Sequence, residues 1–221
     1  MTVQEALYTT RAMRRVRRDP IPRDVQARIL DAAIRAPSGG NQQGWRFLLV
    51  DDEAVRRRLA PIYRECLEEL FRTIYGPVLA RIEASPDEPE NRETARVLRS
   101  ARYMAEHFED YPLLLFAFSQ GDPTGASIFP AVWSAMLAAR AEGVGSTLTT
   151  VFLLRLDAVL DVLGVPADSS WRLACCVPMG YPKGRWGVAR RRPAHEVAYR
   201  NRWEEPLGFE IPTPLWKPPE G

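Results

Sequence analysis

Between Ala36 and Phe47 the chain reads Ala-Pro-Ser-Gly-Gly-Asn-Gln-Gln-Gly-Trp-Arg-Phe. Ser38, Asn41 and Gln43 carry both hydrogen-bond donors and acceptors, a set suited to the edge of a flat heteroaromatic ring. Gly39 and Gly40 open backbone conformations closed to other residues and let a ligand approach the main chain. An ordinary polar connection between a helix and a strand has the same composition. A second cluster lies near the start, where Arg11, Arg14, Arg15, Arg17 and Arg18 fall just before Pro20-Ile21-Pro22. Guanidinium groups offer a planar fork of donors that matches phosphate. Arginine is also this chain's habitual cation, since Lys183 and Lys217 are its only lysines. A solvated basic face or a nucleic-acid patch therefore has the same appearance. The third cluster follows an apolar run, Leu173 to Met179, that ends in Gly180-Tyr181-Pro182; Arg190-Arg191-Arg192 and His195 come next. Basic clusters near both ends of one domain can converge on a single anionic group.

The elements that must position these residues follow from periodicity and punctuation. A helix is expected over about residues 3–10, with Val3, Ala6 and Leu7 on its buried side. The arginine run reads as a connector. The next helix starts at or just before Asp24 and ends near Pro37, with Val25, Ile29, Ala32 and Ala33 on one face, and a short strand from Phe47 to Val50 follows. Helices are expected from about Asp52 to Leu59, from Pro61 to Tyr75 and from about Arg92 to Asp110, the last two separated by the proline-broken loop Ser85–Asn91. Leu113 to Phe118 is a continuous apolar strand. Pro130 to Ala141 is a helix apolar nearly all round, hence buried on all sides, and Gly143 and Gly145 end it. An amphipathic helix, Leu154–Leu163, and a strand, Trp171–Val177, complete the pattern. After Tyr199, Pro206, Pro212, Pro214, Pro218 and Pro219 exclude regular helix, while Trp203, Phe209 and Trp216 are costly to leave in water. An extended tail lying across another surface accounts for both facts.

A chain of 221 residues fits one ordinary α/β or α+β domain with a sizeable core. The net charge of +2 creates no demand for a nucleic-acid partner. No apolar run has the length to cross a bilayer, and the opening residues lack the pattern of a secretory signal; a soluble cytoplasmic protein is expected. Cys66, Cys175 and Cys176 show no metal-ligand or disulfide spacing and read as buried thiols. His107 and His195 are too few for a histidine-rich metal site, and no metal is expected.

Taken together, the arginine-rich opening before Pro20-Ile21-Pro22, the Ala36–Phe47 stretch, Leu137–Ser146 with Thr147-Leu148-Thr149-Thr150, and Gly180-Tyr181-Pro182 resemble the nitroreductase family of flavin mononucleotide (FMN) oxidoreductases. The resemblance covers roughly residues 5–200. It implies an α+β fold, a three-layer α/β/α sandwich with a central, mostly antiparallel sheet, assembled as a homodimer. Residues 1–200 would form the FMN-binding domain and 201–221 a C-terminal extension wrapping the partner subunit. The Pro130–Ala141 helix would be central and partly covered by that partner. The excursion over residues 61–110 occupies the place of a lid over the flavin; from composition it reads equally as a helical hairpin covering core.

The resemblance also assigns roles. Arg11 and Ala12 open the cofactor motif, and Arg190 or Arg191 returns to the phosphate. Arg14 stands where the family often places a cation facing N1 and the C2 carbonyl of the reduced flavin. Backbone donors at Thr149, Thr150 and Val151 serve N5 and O4, while Pro37, Ser38, Gly39, Asn41 and Gln43 line the other edge, Ser38 or its neighbours reaching across a dimer interface. The chain departs from the pattern at Thr10, where many members carry a basic residue, and at Ala12, where many carry serine. Phosphate contacts there fall to backbone N–H groups, to the Thr10 hydroxyl or to Arg15. No catalytic acid or base is required, because the cofactor carries the hydride chemistry. The implied activity is ping-pong transfer of hydride from NAD(P)H to FMN and onward to a nitroaromatic, quinone or similar electron-poor small molecule. Alternatives are an FMN-binding storage or sensing protein, a flavin-fragmenting or dehalogenating relative, and a basic regulatory protein contacting nucleic acid.

Overall fold

In the computed structural model, described for residues 1–211 and 214–217, the chain divides into two units, Ala12–Gly184 and Met1–Arg11 with Arg185–Gly221. The helices are α1 (Val3–Thr9), α2 (Arg23–Ala33), α3 (Glu53–Thr73), α4 (Gly76–Ala84), α5 (Pro89–Glu106), α6 (Ile128–Ala141) and α7 (Leu156–Leu163). The strands are β1 (Trp45–Val50), β2 (Leu113–Ser119), β3 (Gly145–Ser146) and β4 (Arg172–Gly180).

All seven residues of β2 are buried, as expected of an apolar strand covered on both faces. It pairs antiparallel with β1, from Trp45 opposite Ser119 to Val50 opposite Leu114, and antiparallel with β4, from Leu113 opposite Met179 to Ser119 opposite Arg172. β3 pairs antiparallel with the end of β4, giving the sheet order β1-β2-β4-β3. Side chains alternate across the sheet. Leu114, Phe116 and Phe118 join a core with Tyr63 and Leu67 of α3, Met104 of α5 and Val159 of α7. Leu113, Leu115 and Ala117 join a second core with Ile29 of α2 and Ala131 and Ala135 of α6. Helices therefore cover both faces of the sheet in this α+β unit.

Several elements differ from the pattern read in sequence. α3 runs unbroken through Pro61, with Asp52 Oδ1 accepting the Val55 N–H at 3.0 Å to cap it. An interior proline costs a helix about 3 kcal/mol, yet Leu59, Ala60, Tyr63, Cys66, Leu67 and Phe71 form one buried stripe. Each large apolar side chain contributes about 1.5–3 kcal/mol on burial, so packing overrides the break. α6 begins two residues before Pro130, which falls in the first turn where a missing N–H is tolerated. Asp122 Oδ2 accepts the N–H groups of Ser127 and Ile128 at 3.0 and 2.9 Å there. The helix is not buried all round: Phe129 and Trp133 are 38% and 41% exposed.

In the other unit, Ala6 of α1 is buried as expected, but Val3 and Leu7 are exposed and Thr9 is buried in their place. Thr9 and Thr10 donate their hydroxyls to the Glu5 and Ala6 carbonyls, which removes the cost of burying them. The Ala189 N–H donates to the Tyr8 carbonyl, and the Tyr8 and Trp216 rings lie 5.6 Å apart. Trp203, Phe209 and Leu215 are exposed. Of the tail prolines, Pro212, Pro218 and Pro219 lie outside the described residues. No helix among the described residues is long and apolar enough to cross a membrane.

Candidate functional site

The arginine run is a pinned edge rather than a connector. Met13 N–H donates to the Ser146 carbonyl at 3.1 Å, Arg17 N–H to Tyr181 at 2.8 Å, and Lys183 N–H to Arg15 at 2.9 Å. Ala12 bridges Ser146 in parallel and Val16 bridges Pro182 in antiparallel fashion. Glycine makes this approach feasible. Gly145 and Gly180 are register partners, and a Cβ on either would fall 2.8 Å from Cβ of Met13 or Val16, too close for non-bonded carbons. Gly145 is thus a contact point, where the sequence suggested a helix terminator.

This threading sorts the arginines. Met13 and Val16 are buried. Arg17 pairs with Asp19 at 3.5 Å and lies over the Tyr181 ring, Arg18 pairs with Asp110 at 2.5 Å, and Arg15 lies 4.6 Å over the Tyr103 ring of α5. Arg14 is half-buried and enters no ion pair or ring contact among the described residues. Its carbonyl accepts the Tyr111 hydroxyl at 2.9 Å. A half-buried cation without an acid partner invites an anionic ligand.

Beside it runs the segment from Ser146 to Val151. Thr147 N–H donates to Pro178, and Thr149 exchanges both backbone bonds with Cys176 at 2.9 Å. Thr149 Oγ1 accepts the Val151 N–H at 3.3 Å and lies 3.2 Å from the Tyr63 hydroxyl. Thr150 is exposed, at the start of the 3-10 turn Val151–Arg155. Thr147 is 2% exposed, and its Oγ1 has no hydrogen-bond partner among the described residues. Burial pushes the Tyr63 phenol up to about 12, against the Thr149 hydrogen bond and the positive charge of Arg14. Burial likewise raises Tyr111, again opposed by Arg14. Both phenols are therefore neutral hydroxyls at physiological pH.

The glycine-rich loop lies at the other end of the sheet. The Gly44 carbonyl accepts from Gln120 N–H just beyond the Trp45–Ser119 pair, whereas Arg14 belongs to the end where Gly145 meets Gly180. The seven residues of β2 between these ends span about 20 Å. Within the loop, Ser38 Oγ accepts Gln43 N–H at 3.1 Å, Ser38 O accepts Asn41 N–H at 3.0 Å, and Gly39 N–H donates to Ser127 Oγ at 3.2 Å. Gly40, Asn41 and Gln43 all have left-handed φ, at 56°, 52° and 50°. Asparagine tolerates that region, but glutamine there is strained. Pro37, Gly39, Asn41 and Gln43 are exposed and Ser38 is half-buried. The loop thus presents polar groups outward from a constrained backbone, as expected of a binding loop.

In the unit Met1–Arg11 with Arg185–Gly221, Arg11 Nη2 donates to the Arg185 carbonyl at 3.1 Å. Arg190 and Arg191 line a cleft of about 810 Å³ with Leu7, Tyr8 and Ile211, and Arg191 Nη1 donates to the Arg190 carbonyl at 2.7 Å. Arg11 is not among the residues lining that cleft. Two groups named as phosphate donors are engaged elsewhere: the Thr10 hydroxyl by Ala6 and the Arg15 guanidinium by Tyr103. The Ala12 side chain contributes a methyl group only. Sequence reasoning missed Tyr63 and Tyr111, whose apolar surroundings make them read as core, and Asp122 and Ser127, which support the glycine loop from outside its motif.

Comparison with known proteins defines the class to which this fold and site belong. The chain belongs to the nitroreductase family, whose model matches residues 7–181. It is 32% identical over 219 residues to the 5,6-dimethylbenzimidazole synthase of Rhodospirillum rubrum, covering 89% of this chain and 93% of that protein. It is 30% identical over 172 residues to the iodotyrosine deiodinase of Thermotoga neapolitana, covering 78% and 84%. A crystal structure of oxidized iodotyrosine deiodinase bound to FMN and 3-iodo-L-tyrosine matches with a TM-score of 0.71 at 22% identity, over 91% of this chain and 100% of that one.

Proposed function

We propose that this chain is an FMN-dependent oxidoreductase that takes hydride from NAD(P)H and reduces nitroaromatic, quinone or similar electron-poor small molecules in ping-pong order. The observation carrying this reading is Arg14, half-buried and without an acid or ring partner among the described residues. Next to Ser146, which bridges Ala12 two residues before Arg14, lies the orphaned, buried hydroxyl of Thr147. A lone cation and an unsatisfied hydroxyl suit a ligand that is polar and, in one redox state, anionic. FMN is such a group and fits these residues; when bound it supplies the hydride-accepting chemistry.

The residues of this chain then have distinct tasks. Arg14 stabilises negative charge at the pyrimidine edge of the ring system. The Thr150 backbone N–H orients its reacting edge, because the Thr149 and Val151 N–H groups donate to the Cys176 carbonyl and to Thr149 Oγ1. Arg11, together with Arg190 or Arg191, is assigned to the phosphate by family resemblance. Pro37, Ser38, Gly39, Asn41 and Gln43 meet the cofactor of a second copy of the chain. The roughly 20 Å between that loop and Arg14 along the strand direction supports this split. So does the exposure of Phe129 and Trp133 on α6, where a homodimer partner would cover large apolar rings. The tail of residues 201–221, with Trp203 and Phe209 exposed, is assigned to the same partner.

A second reading is favoured by the 32% and 30% identities to a 5,6-dimethylbenzimidazole synthase and an iodotyrosine deiodinase. The chain would then act on a flavin or an iodinated aromatic. Stopped-flow reduction by NADH and by NADPH tests the main reading, followed by turnover with a nitroaromatic and a quinone. Rapid reduction with turnover supports it. Slow reduction accompanied by 5,6-dimethylbenzimidazole formation in air, or by release of iodide from iodotyrosine, supports the second reading instead.

A further inference from the structure

Below the Arg14 and Thr149 segments lies a cluster of rings for which the flavin reading has no task. Tyr63 stacks on Phe108 at 4.3 Å and meets Phe152 edge-on at 5.1 Å, and Tyr111 lies 6.1 Å from Phe108. Tyr63 is 3% exposed and Tyr111 1% exposed. Phenylalanine would fill such positions without the cost of burying a hydroxyl. Each hydroxyl has a specific use. Tyr111 donates to the carbonyl of Arg14 at 2.9 Å. Tyr63 lies 3.2 Å from Thr149 Oγ1, the same oxygen that accepts the Val151 N–H. Its other neighbour, the Met104 sulfur at 3.8 Å, is a weak acceptor, so Thr149 is the stronger partner.

Two separate segments are thus tied to one packed aromatic body, one through the residue carrying the unpaired cation and one through the turn carrying the Thr150 N–H. We propose that Tyr111 and Tyr63 are positioning residues that fix Arg14 relative to the Thr149–Val151 turn and so set how strongly the site favours reduced over oxidised FMN. The inference rests on the flavin reading above. Its physical basis is distance. Arg14 acts by charge, which weakens as its position spreads, whereas oxidised flavin carries no charge at that edge and is indifferent to the spread. Losing either hydroxyl therefore weakens binding of the reduced form selectively.

The test uses Tyr111→Phe and Tyr63→Phe, each deleting one oxygen, with Tyr75→Phe on the periphery of the helical layer as a control. FMN affinity is measured by fluorescence quenching, midpoint potential by equilibration with a reference dye, and folding by thermal melting. The expected result is little change for oxidised FMN and about a tenfold loss for reduced FMN in each variant, the size of one hydrogen bond. That ratio reads as a fall of about 30 mV in the two-electron potential. Equal losses for both redox forms, with an unmoved potential, would make the hydroxyls merely structural and overturn the proposal. If Tyr111→Phe does not fold, Tyr63→Phe carries the same test through the other segment; failure of both to fold also overturns it. A wild-type protein that binds no FMN sinks the flavin reading itself, and the inference with it.

Discussion

Replacing Arg14 with alanine removes the cation on which the cofactor reading turns, and the structure bounds the effect. Two unit charges about 4 Å apart attract by about 4 kcal/mol at the effective dielectric of a protein surface and about 1 kcal/mol in bulk water. Arg14 is half-buried and has no acid partner among the described residues that would absorb its charge. An intermediate value of about 2 kcal/mol follows for its interaction with an anionic reduced cofactor. For a two-electron couple this corresponds to a fall of about 45 mV in midpoint potential, or about thirtyfold in the ratio of reduced to oxidised affinity. Arg14→Lys keeps the charge without the guanidinium fork and should recover at least half of the shift. Dye equilibration on the FMN-loaded variants measures this directly. A potential for Arg14→Ala within about 10 mV of wild type would refute the electrostatic role.

Three further outcomes follow from the packing. Gly180→Ala places a methyl group 2.8 Å from Val16 Cβ and 3.0 Å from Pro112 Cδ, so urea unfolding should show a loss of about 1–3 kcal/mol. Gln43→Gly relieves a left-handed φ of 50° and should raise stability by about 1 kcal/mol; a lower melting temperature would argue against strain in the loop. Tyr63 holds its proton in the fold until about pH 12 but releases it near 10 when unfolded, so between those values the folded chain binds the extra proton and stability falls as pH rises. Tyr63→Phe should flatten that part of the stability–pH profile, measured by denaturant midpoints from pH 9 upward.

The parts of the fold that were readable in the sequence are those where local pattern and tertiary packing agree. Leu113 to Phe118 reads as a buried strand because every residue is apolar, and it is the fully buried centre of the sheet. Val25, Ile29 and Ala33 read as a helical face and are buried together. The local rule for proline divides α3 at Pro61, and only the buried stripe across the break reveals the continuous helix. β3 has two residues, Gly-Ser, with no apolar alternation; it exists because Met13 and Val16 fill the space above Gly145 and Gly180. That contact between distant segments is also why the arginine run resembled a connector. Within the site, Arg14 and the glycine loop are visible from residue type, but the isolation of Arg14 beside Arg15, Arg17 and Arg18 is not. It depends on Asp19, Asp110 and Tyr103 reaching the others. Tyr63 and Tyr111 were hidden for the opposite reason, since their role rests on a single oxygen each.

Titration of the cofactor-free protein with FMN, followed by flavin fluorescence, bears most directly on the whole account. It should give saturable quenching with one flavin per chain, and Arg14→Ala should still bind the oxidised cofactor. Flavin fluorescence that stays undiminished at every protein concentration would contradict it.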